Sequence, residues 1–152
     1  MQIKVTEDFY LSASNYCRVI ENFGSIKGNN LTSLLCSLLE LYTKALSLPD
    51  VESDNEKETD FEISVPLINL KKYDHYWEVF NPYHFGEPVE ASLSDDILDI
   101  YKDVKRGIFL YEKNEHIEAI WEWKVNFEIH WGSHAVDAIR ALHSIKNLVN
   151  TS

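Results

Sequence analysis

Apolar residues recur at spacings of three and four along much of the chain, which is the pattern of amphipathic helices. The first such segment runs from Asp8 to Phe23 and can end at Gly24. A second segment lies between Asn30 and Pro49 and has such a broad apolar surface that we expect it to pack on two sides. The apolar pattern therefore predicts two helices in the first third of the chain.

The middle of the chain has a different character. Residues 50–62 are dense in Asp and Glu and nearly lack apolar side chains, which predicts a solvated acidic loop between helices 2 and 3; an acidic partner-binding arm is the alternative. Aromatic residues at helical spacing then predict a short third helix from Leu70 to about Phe80. Residues 81–91 contain two prolines, a glycine and several aromatic side chains, which predicts an irregular aromatic loop.

A fourth helix is predicted by a capping pattern. Ser92 is followed three residues later by Asp95, which resembles a capping box with Asp in place of Glu, and Ser94 is a competing cap. Asp95, Asp96 and Asp99 then fall near the positive end of the helix dipole, and we interpret the three carboxylates as its partners.

The longest helical pattern runs from Glu115 to about Asn147 and predicts a long central helix at the C-terminal end. Gly132 lies in its middle, where glycine lowers helix propensity by about 1 kcal/mol relative to alanine. We therefore expect close packing or a bend at this residue.

These elements predict an all-α fold, a compact bundle of about five helices. The chain has 152 residues, the size of one ordinary domain, and 45% of them are hydrophobic, which excludes a disordered chain. We expect residues 1–152 to form a single helical domain.

The charge narrows the range of partners. The chain has 14 basic and 25 acidic residues, a net charge of −11, which disfavours direct nucleic-acid binding. The acidic side chains either form a solvated surface alone or steer the protein toward a basic protein partner. The N-terminal residues lack the pattern of a secretory signal, and no apolar run approaches the ~20 residues of a membrane span. Cys17 and Cys36 are expected to be buried thiols, so we predict a cytoplasmic protein.

One group of residues suggests metal chemistry. His130, His134 and Asp137 are spaced i, i+4 and i+7, which places them on one helix face. Such a face can hold zinc, iron or manganese, with a carboxylate from the same or another helix completing the site. Further carboxylates on other segments are Glu78, Asp95, Asp96, Asp99 and Glu128. Alternatively, the two histidines are structural and are satisfied by hydrogen bonds to Tyr, Asp or backbone groups.

Aromatic residues suggest a second kind of site. Tyr76, Trp77, Tyr83 and Phe85 cluster before and within the aromatic loop. Aromatic side chains are favoured anchors at protein interfaces, and packing in the core is the alternative explanation.

Several segments resemble one family. They are Tyr76–Tyr83 (YWEVFNPY), Ser92–Lys105, Trp121–Trp123 (WEW) and His130–His143 (HWGSHAVDAIRALH). Over this half of the chain the sequence is similar to the bacterial domain-of-unknown-function 5063 family. The resemblance implies a small helical cytoplasmic protein of bacteria, and the family offers no established activity, substrate or catalytic residue.

Two functions follow as hypotheses. The first is a non-enzymatic interaction domain without a cofactor, because the usual motifs of nucleotide-binding and acyl-transfer enzymes are absent from the sequence. The alternative is a metal-dependent hydrolase or oxidoreductase with a site at His130, His134 and Asp137.

Overall fold

A computed structural model describes residues 2–53 and 62–149, and these residues form a bundle of four helices. The first three helices are α1 (Gln2–Glu21), α2 (Gly28–Ala45) and α3 (Leu93–Glu112). The fourth, α4, consists of three segments in unbroken succession: His116–Asn126, the π-helical Phe127–Trp131, and Gly132–Val149. The predicted helical bundle is confirmed, with four helices rather than five.

The predicted third helix was wrong. After a 3₁₀ turn at Lys71–Tyr73, the strand β3 (His75–Glu78) pairs antiparallel with β4 (Val89–Ser92); the earlier strands β1 (Gly24–Ser25) and β2 (Ile68–Asn69) form a parallel pair. Along β3 the side chains alternate between exposed and half-buried. The helical spacing of the aromatic residues here was misleading, since short apolar patterns fit a strand equally well and tertiary pairing decides between them.

The aromatic loop lies mainly where it was predicted. Its first part connects β3 to β4, whereas its last three residues, 89–91, belong to β4. We call the strands β3 and β4 with their connection, residues 75–92, the aromatic hairpin.

The acidic loop can be followed only at its edges, because residues 54–61 of the predicted 50–62 lie outside the described residues. Before this gap the Asp50 carboxylate lies 3.0 Å from Lys124 Nζ. Ser53 Oγ donates a hydrogen bond of 2.8 Å to Glu118 Oε2. The described end of the loop therefore contacts the first segment of α4.

The N-terminus of α3 is capped as predicted. Ser92 Oγ accepts a hydrogen bond of 3.3 Å from the backbone N–H of Asp95. The carboxylate of Asp74, in the turn before β3, adds a second cap by accepting from the backbone N–H of Ser94 at 2.8 Å. The two caps fix the direction in which α3 leaves the hairpin.

The helices pack around one hydrophobic core. α1 contacts α2 and α3, and α4 contacts α3 through its first segment and both α2 and α3 through its last. The largest fully buried side chains are Trp123, Trp131, Tyr16, Phe9 and Ile20. Cys17 is buried as expected, but the expectation was wrong for Cys36, which lies on an exposed position of α2.

Gly107 allows α3 and α4 to approach closely. A Cβ atom at this position would lie 2.0 Å from Trp123 Nε1. The indole instead occupies that space and donates a hydrogen bond of 2.9 Å to the carbonyl of Val104. This contact holds the facing surfaces of α3 and α4 together.

Gly132 has a packing role, as its position in the helix suggested. Its backbone N–H donates to the carbonyl of Phe127, the i to i+5 bond of the π-helical segment. A Cβ atom at Gly132 would lie 2.4 Å from that carbonyl oxygen. Glycine therefore permits the π turn immediately before the last segment of α4.

None of the described helices combines the length and the apolar character that a membrane span requires.

Candidate metal centre

Three carboxylates of α3 face α4. Asp96, Asp99 and Asp103 are spaced i, i+3 and i+7, which places them on one side of the helix. Asp96 is 5% exposed and Asp103 is 7% exposed. The interpretation of Asp96 as a partner of the helix dipole was therefore incomplete, because a buried carboxylate needs specific partners.

Two histidines of α4 supply those partners. His130 lies in the π-helical segment and His134 in the segment that follows. Their ring centroids are 4.7 Å apart and the rings are nearly perpendicular, at 86°. The sequence spacing thus brought the two imidazoles together as predicted.

Each histidine is bonded to one buried carboxylate through the same ring nitrogen. His134 Nδ1 lies 2.7 Å from Asp96 Oδ1, and His130 Nδ1 lies 2.6 Å from Asp103 Oδ2. Because an ionised carboxylate only accepts hydrogen bonds, we assign the proton to Nδ1 in both rings. In the neutral imidazole this leaves the lone pair on Nε2, as in most metal-binding histidines.

Asp99 is a third potential ligand beside the two rings. Its Oδ2 atom lies 3.7 Å from His134 Nε2. One ligand atom each from Asp99, His130 and His134 lies within 4.8 Å of the other two. Ligands about 2.1 Å from a tetrahedral zinc ion would be separated by about 3.4 Å, so small side-chain adjustments bring these atoms around one ion.

The cluster is open to solvent on one side. The side chain of His130 is 44% exposed and that of Asp99 is 36% exposed, whereas the carboxylates behind the rings are buried. A metal ion held here would therefore keep positions for water or a substrate.

Asp137, the carboxylate proposed from the sequence as a ligand, belongs to a different pair. Its carboxyl group interacts with that of Glu78 on β3, and it is not among the three clustered groups. Burial, followed by the hydrogen bond with Glu78, raises the pKa of Asp137 to about 7. Asp99 replaces Asp137 in the candidate ligand set.

The groups around the cluster form a polar network. The hydrogen bond with Asp96 raises the pKa of His134, and burial partly opposes this effect. The Tyr76 hydroxyl donates to the other oxygen of Asp96 in a close contact, and burial, together with this bond, raises the pKa of Tyr76. On the other side, Arg106 Nη1 lies 3.3 Å from Asp103 Oδ1. The two carboxylates behind the histidines are thus held from both sides.

Asp103 was not predicted from the sequence as a site residue. Its signal was present, since it lies four residues after Asp99 and seven after Asp96 on the predicted helix. That repeat becomes informative only once α4 is known to lie against this face.

The four aromatic residues proposed for an interface separate into two groups. Tyr76 is half-buried and its hydroxyl donates to Asp96, so it belongs to the polar network around the histidine–carboxylate cluster. Trp77, Tyr83 and Phe85 are 70%, 93% and 106% exposed. Phe80, which the sequence analysis did not select, is 89% exposed on the same hairpin.

The part of the chain that the structure describes is thus a four-helix bundle with a histidine–carboxylate cluster between its last two helices. The chain belongs to the family described as Domain of unknown function (DUF5063), whose model matches residues 2–147. Its fold is similar to that of protein BF1032 from Bacteroides fragilis, known from a crystal structure, with a TM-score of 0.78 and 24% identity over 94% of this chain and 92% of that chain. No match was found among curated proteins.

Proposed function

We propose that this domain binds one divalent transition-metal ion through Asp99, His130 and His134 and is a metal-dependent enzyme. The observation that carries the proposal is the pair of buried carboxylates, each bonded to Nδ1 of one histidine. Such outer carboxylates orient a metal-binding imidazole and make Nε2 a stronger ligand.

The ligand set limits the chemistry. Two histidines and one carboxylate, with positions left for water, occur in catalytic zinc sites and in non-haem iron oxygenases. Zinc would activate a bound water for hydrolysis, whereas iron would support oxidation. Identification of the metal therefore selects between a hydrolase and an oxidoreductase.

The first experiment is elemental analysis of tag-free protein purified without a chelator. We expect close to one zinc, iron or manganese per chain, and loss of the metal in His134→Ala. His143→Ala is the matched control, because His143 is exposed on the same segment of α4 and lies outside the cluster. Wild-type protein that stays metal-free after incubation with each ion would contradict the proposal.

A second comparison tests the choice of carboxylate. Asp99→Asn should lose the metal, and Asp137→Asn should keep it, since Asp137 pairs with Glu78. The reverse result would restore the ligand set of His130, His134 and Asp137.

We also propose that the aromatic hairpin binds a partner protein. This interaction is compatible with a hydrolase, with an oxidoreductase and with a protein that has no catalytic activity. Trp77, Phe80, Tyr83 and Phe85 expose most of their ring surface within one short segment. Monomeric proteins rarely leave such groups of aromatic residues uncovered, and aromatic anchors often contribute most to binding. The net charge of −11 favours a basic protein as the partner.

This interaction can be tested by affinity capture from native lysate. A specific partner should be lost with Trp77→Ala or Tyr83→Ala. It should be retained with Ile129→Ala, which removes a side chain that is 75% exposed on α4. Equal recovery with all three variants would count against the hairpin as the binding surface.

We further propose that the protein acts in the bacterial cytoplasm. Cys17 and Cys36 are both free thiols, which fits a reducing compartment.

A further inference from the structure

A cavity of about 750 Å³ lies beside the candidate metal centre. It is open to solvent on one side and is lined by the first part of the aromatic hairpin, by Tyr42 of α2, and by α4 from Phe127 to Arg140. Its volume lies within the range of small-ligand sites. Asp99 and His130 are not part of its lining, so it is a separate site.

Much of the wall of this cavity is aromatic. Tyr42, Trp77, Phe80 and Phe127 all contribute to it. The rings of Tyr42 and Phe127 meet edge to face, with centroids 5.2 Å apart. Aromatic faces of this kind contact hydrocarbon chains and attract cations.

The polar part of the lining has an excess of carboxylates. Glu78 and Asp137 both line the cavity and interact with each other, and Glu128 adds a third carboxylate. Arg140 is the one basic residue in this lining, and its Nη1 lies 3.3 Å from Ser144 Oγ. Two carboxylates in contact repel each other unless a proton or another cation lies between them.

We propose that this cavity binds an organic cation, an ammonium or guanidinium group carried on a short hydrocarbon chain. The charged group would donate hydrogen bonds to Glu78 and Asp137 and so relieve the repulsion between these neighbouring carboxylates. The hydrocarbon chain would pack against Trp77 and the neighbouring rings. Neither the metal centre nor docking on the hairpin requires this ligand.

The test is an NMR titration of the full chain with n-butylammonium and with ethylguanidinium, in which the indole signals of Trp77 are followed. n-Butanol is the neutral probe with the same hydrocarbon chain. We expect saturable shifts with both cations and little response to butanol. Equal responses to butanol and butylammonium would overturn the proposal.

Variants locate the charge that is recognised. Glu78→Gln and Asp137→Asn should each weaken cation binding by about tenfold or more, since each removes one charge-assisted hydrogen bond. Arg140→Met should strengthen binding because it removes a competing positive charge. Glu87→Gln is the control, an exposed carboxylate in the hairpin loop outside the cavity lining. Cation binding that is unchanged in both Glu78→Gln and Asp137→Asn would overturn the proposal, and if these variants do not fold, the comparison with butanol decides.

The same titration distinguishes two sources of the cation. A lysine or arginine peptide with a neighbouring leucine should bind more tightly than the simple amines if a partner protein supplies the charged group. Equal affinities would indicate a free small amine. Either outcome supports the cation site, because both require the same carboxylates.

Discussion

Replacement of Asp103 by asparagine tests the metal centre without touching a metal ligand. Asparagine keeps the size of the side chain and an oxygen that can accept from His130 Nδ1, 2.6 Å away. It removes the negative charge that makes the imidazole a stronger ligand. Loss of such an outer carboxylate typically weakens metal binding by about 10- to 100-fold.

The expected effect can be expressed as thermal stability. At a free metal concentration 100 times the dissociation constant, binding stabilises the wild-type fold by about 2.7 kcal/mol. A 10- to 100-fold weaker site would retain about 1.4 to 0.4 kcal/mol at the same concentration. At about 2–4 °C per kcal/mol for a chain of this size, the metal should raise the Tm of the wild-type protein by about 5–11 °C. In Asp103→Asn this rise should be smaller by about 3–9 °C.

The assay compares Tm with and without metal for each variant, so that any change in the stability of the metal-free protein cancels. Asp95→Asn is the matched control, because it removes one exposed carboxylate from the same helix and Asp95 lies outside the cluster. Equal reductions in Asp103→Asn and Asp95→Asn would mean that only the total charge matters. This result would refute the role assigned to Asp103.

Three further predictions concern the fold around the site. Gly132→Ala should lower both stability and metal affinity, because its Cβ would lie 2.4 Å from a carbonyl oxygen of the π turn. Calorimetry measures the loss of stability and metal titration the loss of affinity, and an unchanged metal affinity would contradict a role of the π turn in the site. Gly107→Ala should lower the free energy of unfolding by about 1–3 kcal/mol through its clash with Trp123, although helix propensity alone predicts a gain in stability. The exposed control Phe85→Ser should change the free energy of unfolding by no more than about 0.5 kcal/mol. Urea unfolding measures both variants. Asp137→Asn should be more stable than wild type at pH 8 and not at pH 4. The pKa of Asp137 is raised to about 7 in the folded protein, so the wild-type fold loses stability relative to the unfolded chain as the pH rises from about 4 to 7. Thermal melts without added metal should show this difference, and a difference that does not depend on pH would contradict it.

The candidate site was partly predictable. His130 and His134 share a helix face by their spacing alone, and the structure brings their rings together. Asp137 was chosen as the third ligand because it lies on the same helix and the same face, whereas in the structure Asp99 is the carboxylate that clusters with the two histidines. Asp99 lies on another helix, and its position depends on how α3 packs against α4.

The sequence also did not show which charged side chains are buried. Asp95 and Asp96 are adjacent in the first turn of α3, and both suit the helix dipole. In the structure Asp95 is exposed and Asp96 is buried between Tyr76 and His134. Only the neighbouring elements distinguish one aspartate from the next.

The sequence by itself determined the helical parts of the fold. Long apolar periodicity, the Ser92 cap and the glycine at position 132 act within a few residues, so α1, α2, α3 and α4 could be located along the chain. The tertiary structure alone decided that residues 75–78 form a strand rather than a helix, because a short aromatic pattern fits both and the partner strand selects one. It also decided which carboxylates face the histidines, since contacts between distant segments depend on helix packing and not on spacing within one helix.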